Sequence, residues 1–317
     1  MSGPSEPVTQ VIDAAGAWVV RRLASVERRL REIPAAAGDP VAEWAGSTIA
    51  AGGKRLRPLL VLLAAGESAP ENGVVRAAVA VELVHAATLV HDDVLDAADL
   101  RRGRPTVWST AGREAAIVTG DHLFARAFSE LAANDRIEDV AVLSRASSAL
   151  AEGELLQRAD AWNAKVGEER YLHRCELKTA RLFEAACELG ELQAGRPPSL
   201  GGFGRRIGLA FQLLDDVLDV SGPAERTGKH RGTDLLDGTV TLPFILAGLD
   251  VDLRGVRTPE QAEALCDAIA ATGALEESRR RAHAMVAEAK DLLPADLEPR
   301  QRDALLLVAD GVVERYA

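Results

Sequence analysis

Only three cysteines occur in the 317 residues, Cys175, Cys187 and Cys266. An odd number, scattered without metal-ligand spacing, supplies neither a disulfide framework nor a zinc site, so they read as reduced thiols of a cytoplasmic protein. Aromatic residues make up only 4%, and with few β-branched runs this disfavours a sheet protein. Basic residues are outnumbered, 37 Lys and Arg against 48 Asp and Glu, for a net charge of −11. That balance argues against nucleic acid as a partner, which needs a basic face. It does not argue against a small anion, because the basic groups are gathered locally. No uninterrupted apolar stretch approaches the roughly 18 residues of a membrane span. Met1–Gln10 is polar and rich in Pro and Ser, so neither an integral membrane segment nor a signal peptide is expected. Residues 1–10 read as a disordered tail, and any membrane contact would be peripheral.

What is present is helix-forming. Alanine, leucine, arginine and glutamate dominate, and 47% hydrophobic residues suffice for a sizeable core. Helices should break at Gly38–Pro40, Ala69–Gly73, Asn134–Asp135, Gly195–Pro198 and Ser221–Pro223. No shift in composition marks a linker, so one domain is expected over residues 1–317. Gly222–Gly238, rich in Gly, Asp and Lys, reads as a mobile flap.

Two clusters carry the chemistry: His91-Asp92-Asp93-Val94-Leu95-Asp96 and Leu214-Asp215-Asp216-Val217-Leu218-Asp219. Both have the pattern Asp-Asp-x-x-Asp. On a helix the first and last Asp share a face with Cβ atoms about 5–6 Å apart, and such carboxylates repel unless a cation lies between them. Mg²⁺ suits them, because it takes hard oxygen ligands and is held by one or two carboxylates together with substrate phosphates. A solvated acidic patch is the plainer reading. Against it stand the residues leading in, Val81–Val90 and Ile207–Leu214, which are apolar nearly all round and mark buried helices. Carboxylates there are expensive unless paired or metal-bound.

Basic residues stand in fixed order around the clusters. Gly52-Gly53-Lys54-Arg55-Leu56-Arg57-Pro58 places cations after a glycine pair, where backbone can approach an anion. Arg101-Arg102-Gly103-Arg104-Pro105-Thr106 follows the first cluster within one or two helical turns, and a guanidinium fork suits phosphate oxygens. Lys178-Thr179 and Gly228-Lys229 add further donors. Each alone is better explained as a surface charge; their value lies in the fixed order around the Asp clusters.

In that order the chain resembles the trans-type isoprenyl diphosphate synthases, or polyprenyl synthetases, from about Ala50 to Arg315. The matching stretches include Gly52–Pro58, Leu83–Thr106, Gly120-Asp121, Gly153–Gln157, Lys178–Ala180, Phe211–Asp219 and Gly228–Pro243. The resemblance implies an all-α fold of roughly ten or more helices around a central active-site cavity, in a homodimer or a related two-subunit assembly. It implies head-to-tail condensation of isopentenyl diphosphate onto an allylic diphosphate, with about three Mg²⁺ per active site bridging carboxylates and diphosphate.

By the same resemblance, Asp92, Asp96 and Asp215 are the metal ligands, and Asp93, Asp216 and Asp219 complete the catalytic clusters. Lys54, Arg57, His85 and Arg102 hold isopentenyl diphosphate, while Arg101, Lys178, Thr179, Gln212 and Lys229 serve the allylic side. His85 lies seven residues before Asp92, on nearly the same helix face; a core histidine is its alternative reading. His91 points elsewhere and reads as structural. Thr239 stands where short-chain members commonly carry Lys, so one phosphate contact is missing.

Chain length in the family depends on a floor four and five residues before the first Asp, here Thr88 and Ala87. Neither is aromatic, so the growing chain can pass down the helix, one turn being about 5.4 Å, toward Val84 and Leu83, giving a product longer than fifteen carbons. The alternative is a wall on another helix, from Phe124 or Phe128. Two other readings are a terpene cyclase, whose second metal site is by analogy an Asn/Ser/Glu type, and an idle partner subunit, which would lack one cluster. Both clusters are complete here.

Overall fold

The computed structural model describes residues 6–222 and 231–314, and over them the chain is all-α with more than ten helices. It separates into two compact units between which the chain passes repeatedly. The first comprises the residues up to 147 together with 185–201 and 294–307, the second 148–184, 202–293 and the residues from 308 onward.

The first unit opens with α1 (Glu6–Ala15), α2 (Ala17–Ala35), α3 (Val41–Ala50) and α4 (Leu56–Ala65). Helix α5 (Glu71–Leu95) packs against α2, α4 and the later α7 (Arg113–Ala132). From Val74 to Val90 its side chains are buried on nearly every side, among them Leu83 and Val84 with no exposed surface. Each such aliphatic group contributes about 1.5–3 kcal/mol by leaving water. Helix α5 is long and apolar enough to cross a membrane by length and composition, although no uninterrupted apolar run suggested it. Of its most apolar window 72% is buried inside the fold, so here those side chains serve a protein core.

One segment departs from the helical expectation. Beyond α5 the chain takes a positive φ at Ala97 and forms a two-stranded antiparallel ribbon, β1 (Leu100–Arg101) and β2 (Arg104–Pro105). Arg102 and Gly103 at the turn have φ of 53° and 72°. Two consecutive left-handed residues make the tight hairpin turn that matches strand twist. Helix α6 (Val107–Ala111) follows, capped by the Thr106 hydroxyl, which accepts from the Ser109 N–H at 3.0 Å. The break expected at Ala69–Gly73 falls slightly earlier, since α5 already begins at Glu71 after Pro70; those at Gly38–Pro40, Asn134–Asp135 and Gly195–Pro198 fall where expected, and of Ser221–Pro223 the last residue lies outside the described residues, with Ser221 still helical.

Helix α8 (Ile137–Asp160) begins in the first unit and ends in the second. In the second unit α9 (Glu168–Cys175) runs into a single π-turn, Glu176–Ala180; α10 (Arg181–Gln193) follows and belongs to the first unit from residue 185. Helix α11 (Gly201–Ser221) carries the second Asp cluster at its C-terminal end. Then follow α12 (Thr233–Leu236), α13 (Leu242–Ala247), a 3₁₀ turn at Leu253–Gly255, α14 (Pro259–Ala270), α15 (Ala274–Asp291) and α16 (Pro299–Glu314). Of the expected flap, 223–230 lies outside the described residues. The part after it is folded: Asp219 Oδ2 accepts the Asp234 N–H at 3.2 Å, and its carbonyl accepts the Gly232 N–H at 2.9 Å.

Candidate active site

The first cluster occupies the last turn of α5, where Asp96 is the C-cap residue. Its three carboxylates divide by environment. Asp96 is exposed and Asp92 half-buried, whereas Asp93 is buried and accepts from Arg101 Nε at 2.6 Å. The residue types alone do not separate Asp93 from its neighbours. What does is the hairpin, which returns Arg101 to the helix end.

On an adjoining face of α5 lies a cavity of about 410 Å³, bounded by α3, the Gly52–Arg55 loop, α5 and the hairpin. Arg55, Arg101, Arg102, Arg104 and His85 line it, with Glu43, Glu82 and Asp93 as the acidic members and Trp44, Leu89 and Val107 as apolar wall. Gly53 permits the closest approach: a Cβ added there would lie 3.0 Å from Arg102 Nη1. The glycine pair was expected to let backbone approach an anion; what lies against Gly53 in the structure is the Arg102 guanidinium. Burial holds the His85 pKa well below the imidazole range, and the charges of Arg57, Arg102, Arg101 and Arg55 push it further down. His85 is therefore neutral at pH 7, with one ring nitrogen able to donate and the other to accept. Burial also lowers Arg57 to about 10, against the pull of Glu82. Of the residues expected to hold isopentenyl diphosphate, the structure places His85 and Arg102 on this cavity, Arg57 within electrostatic reach of His85, and Lys54 exposed on the adjacent loop.

The second cluster is arranged around a hydrogen-bonded chain within its own unit. Thr179 Oγ1 donates to Gln212 Oε1 at 2.6 Å, Gln212 Nε2 donates to Asp216 Oδ1 at 2.7 Å, and the Tyr171 hydroxyl donates to Asp216 Oδ2 at 2.6 Å. Burial raises the Asp216 pKa, the charge of Asp234 adds to it, and the two donated hydrogen bonds oppose it. Asp215 is exposed, so this cluster divides as the first does. Lys178 and Thr179 sit on the π-turn, a rare irregularity frequent at functional sites, with Lys178 Nζ 2.5 Å from Glu154 Oε2. Burial raises Glu154, but Lys178 and Arg158 outweigh it and leave its pKa lowered. Lys229 lies outside the described residues. Thr239 is bonded through its backbone, its N–H donating to the Asp234 carbonyl at 2.8 Å.

Of the chain-length residues, Leu83, Val84 and Ala87 are fully buried on α5, and the Thr88 hydroxyl donates to the His85 carbonyl at 2.8 Å. His91 turns to α7: its ring lies 5.9 Å from that of Phe124, nearly parallel, and Nε2 is 3.3 Å from the Ile117 carbonyl. Sequence reasoning missed Glu27, Arg55 and Glu82 as a group, and Tyr171. Glu82 had one visible signal, an acid inside an apolar run. Nothing in the pattern singled out Tyr171.

Among the described residues no three His, Cys, Asp or Glu side chains converge into a metal cage. The donor set still fits a hard divalent cation, being carboxylate oxygens alone, and Mg²⁺ takes one or two of these with phosphate and water rather than a full protein cage.

The chain matches the polyprenyl synthetase family model over residues 39–285. It is 40% identical over 269 residues to heptaprenyl diphosphate synthase component 2 of Geobacillus stearothermophilus, covering 81% of this chain and 84% of that one. It is 38% identical over 281 residues to geranylgeranyl diphosphate synthase of Methanosarcina mazei, covering 84% and 86%. Among solved structures, polyprenyl synthase from Caulobacter crescentus CB15, complexed with calcium and isoprenyl diphosphate, has a TM-score of 0.89 at 34% identity with 100% of both chains covered.

Proposed function

The chain belongs to the polyprenyl synthetase family and is a trans-prenyl diphosphate synthase, and we propose that the arginine-lined cavity beside α5 is its subsite for isopentenyl diphosphate. One observation carries this: four arginines bear on one neutral histidine at a cavity wall, about two helical turns before Asp92. Of these, Arg57 and Arg102 are the two assigned to the isopentenyl diphosphate, and each guanidinium fork offers it two parallel hydrogen bonds. A neutral His85 adds a donor without adding charge. The apolar wall of Trp44, Leu89 and Val107 suits a five-carbon tail.

The allylic diphosphate is assigned to Arg101, Lys178, Thr179, Gln212 and Lys229. The hydrogen bonds at Thr179 and Gln212 support this by fixing the Gln212 amide, so that binding needs little reordering. Asp92, Asp96 and Asp215 would hold Mg²⁺, which when bound stabilises charge developing on the departing diphosphate. The calcium in the Caulobacter relative supports a divalent cation. Asp93, Asp216 and Asp219 hold the hydrogen-bonded frame of each cluster, through Arg101, Tyr171 and Gln212, and the Asp234 N–H. Loss of diphosphate leaves an allylic cation that water would quench, and the apolar burial of α5 up to Val90 supports a dry reaction space. The isopentenyl double bond then attacks, and the released diphosphate accepts the lost proton.

The enzyme acts as one domain, a reading supported by a family match that runs through both units. It is assigned to the cytoplasm, a reading supported by its three free, buried cysteines, and as a homodimer, a reading supported by the adjacent apolar side chains Ile117 and Val118 exposed on α7. A product longer than fifteen carbons is supported by the absence of any aromatic side chain at Ala87 and Thr88. The test is incubation of purified protein with Mg²⁺, radiolabelled isopentenyl diphosphate and allylic primers of three lengths, followed by chromatography of the dephosphorylated products. Elongated chains are expected. No incorporation from any primer refutes the assignment.

A further inference from the structure

Arg55 sits between the two cations assigned to isopentenyl diphosphate, Lys54 and Arg57, and does something different from either. Its backbone is left-handed, with φ 50° and ψ 33°, at the N-cap of α4. Non-glycine residues adopt that region uncommonly, and they persist there where the surroundings over-determine them. The surroundings do so here through the side chain. Arg55 Nε donates to Glu27 Oε1 of α2 at 2.5 Å, Nη1 to Glu82 Oε1 of α5 at 2.5 Å, and Nη2 to the Ile49 carbonyl of α3 at 3.2 Å. One guanidinium joins three helices. Its own carbonyl accepts the Leu59 N–H at 2.9 Å and begins α4. The dihedral angles of Arg55 therefore set the direction in which the chain leaves Gly52–Lys54 and enters the turn that carries Arg57.

The same cluster sets the charge at the cavity wall. Glu82 is buried, lines the cavity, precedes His85 by three residues, and acts electrostatically on Arg57 as well as on Arg55. With its fork held by Glu27 and Glu82, Arg55 faces the cavity already committed to carboxylates.

We propose that Arg55, clamped by Glu27 and Glu82, is a positioning residue of the isopentenyl diphosphate subsite: it holds the Gly52–Arg57 turn in the shape that presents Lys54 and Arg57, and is not itself a ligand of the diphosphate. This rests on the assignment of the cavity to isopentenyl diphosphate.

The two roles give opposite signs. Were Arg55 a ligand, removing the negative charge of Glu27 would release its guanidinium and tighten the substrate. A clamp predicts the reverse. Steady-state kinetics on Glu27→Gln, Arg55→Lys and Arg102→Ala, varying each substrate in turn, separates them. Arg55→Lys keeps the charge and loses the fork, and should raise the KM for isopentenyl diphosphate about tenfold, the equivalent of one hydrogen bond to a charged group. Glu27→Gln should raise it severalfold, with the allylic KM unchanged in both. Glu27 is only partly buried, so this variant stays folded and decides the matter should Arg55→Lys fail to fold. A lowered or unchanged isopentenyl KM in Glu27→Gln, or an equal rise for both substrates, overturns the clamp. Arg102→Ala reports on the subsite itself. If it leaves the isopentenyl KM unchanged, the assignment of the cavity fails; if it raises that KM while Glu27→Gln does not, the clamp alone fails.

Discussion

Replacing Gly153 with alanine tests whether the π-turn must keep its position for the allylic diphosphate to be held. A Cβ added at Gly153 would lie 2.5 Å from the backbone nitrogen of Lys178, 2.8 Å from its Cα and 2.9 Å from its Cβ. The obstruction is backbone, which no rotamer change relieves. Opening the closest contact to an ordinary van der Waals distance requires a displacement of about 1 Å, and misplacement on that scale costs about a hundredfold in rate when it falls on a positioning group. Overpacking costs about 1–3 kcal/mol, while alanine in place of glycine inside a helix returns about 1 kcal/mol. The two partly cancel, so thermal stability is the insensitive readout and allylic kinetics the sensitive one. Gly153→Ala should lower kcat/KM for the allylic substrate by about ten- to a hundredfold, with a Tm fall of only a few degrees and little change in the isopentenyl KM. Gly202→Ala is the control. It sits on α11 in the same unit, and its added Cβ would meet nothing closer than Leu292 Cδ1 at 3.4 Å. It should be neutral or slightly stabilising. If Gly153→Ala behaves as Gly202→Ala does, the close packing against Lys178 has no functional consequence and the reasoning is wrong.

Asp92→Ala and Asp215→Ala should each lower kcat by at least about 10²–10³ with Tm preserved, and chelation of divalent cations should abolish turnover; near-normal turnover in both folded variants removes the metal-held leaving group. His85 titrates far below its unfolded value of about 6.5. As pH falls below that value the unfolded chain therefore takes up a proton that the native chain refuses, and stability is lost down to the folded pKa. Urea midpoints of wild type and His85→Gln at pH 7.5 and 5.5 should show the wild type losing more; parallel losses would mean that His85 is not depressed. Ala87→Tyr should shorten the product toward fifteen carbons, at a stability cost of about 1–3 kcal/mol, while condensation on a short primer continues. An unchanged product distribution places the floor on another helix, with Phe124 or Phe128 the next to substitute.

The chemistry was legible in the sequence wherever a short pattern carries it. Asp-Asp-x-x-Asp on a helix is a local geometry, so the pairing of Asp92 with Asp96 needs only the 3.6-residue period, and the apolar run before it announces a buried helix. The breaks at Gly38–Pro40 and Gly195–Pro198 likewise act through the backbone nearby. The hairpin at Leu100–Pro105 was not legible in the same way, because a four-residue ribbon leaves no periodicity to detect. Its signal was Arg102-Gly103, and arginine is not a residue that advertises a left-handed turn.

What the sequence by itself determined is the helical class, the Asp-Asp-x-x-Asp pattern of each carboxylate cluster, which spans little more than one helical turn, and the order of basic groups along the chain, which needs no knowledge of the fold. Tertiary structure decided which member of each cluster is buried and hydrogen-bonded. Asp93 and Asp216 look the same as Asp92 and Asp215 in the motif, and only the return of Arg101 from the hairpin, and of Tyr171 from α9, buries and binds the second Asp of each pair. Tertiary structure also decided that Arg55 binds Glu27 and Glu82, residues 28 and 27 positions away. A charge does not record in the chain which opposite charge it will meet: ion-pair choice depends on which helices pack together, and that packing is set by apolar faces whose pattern names no partner.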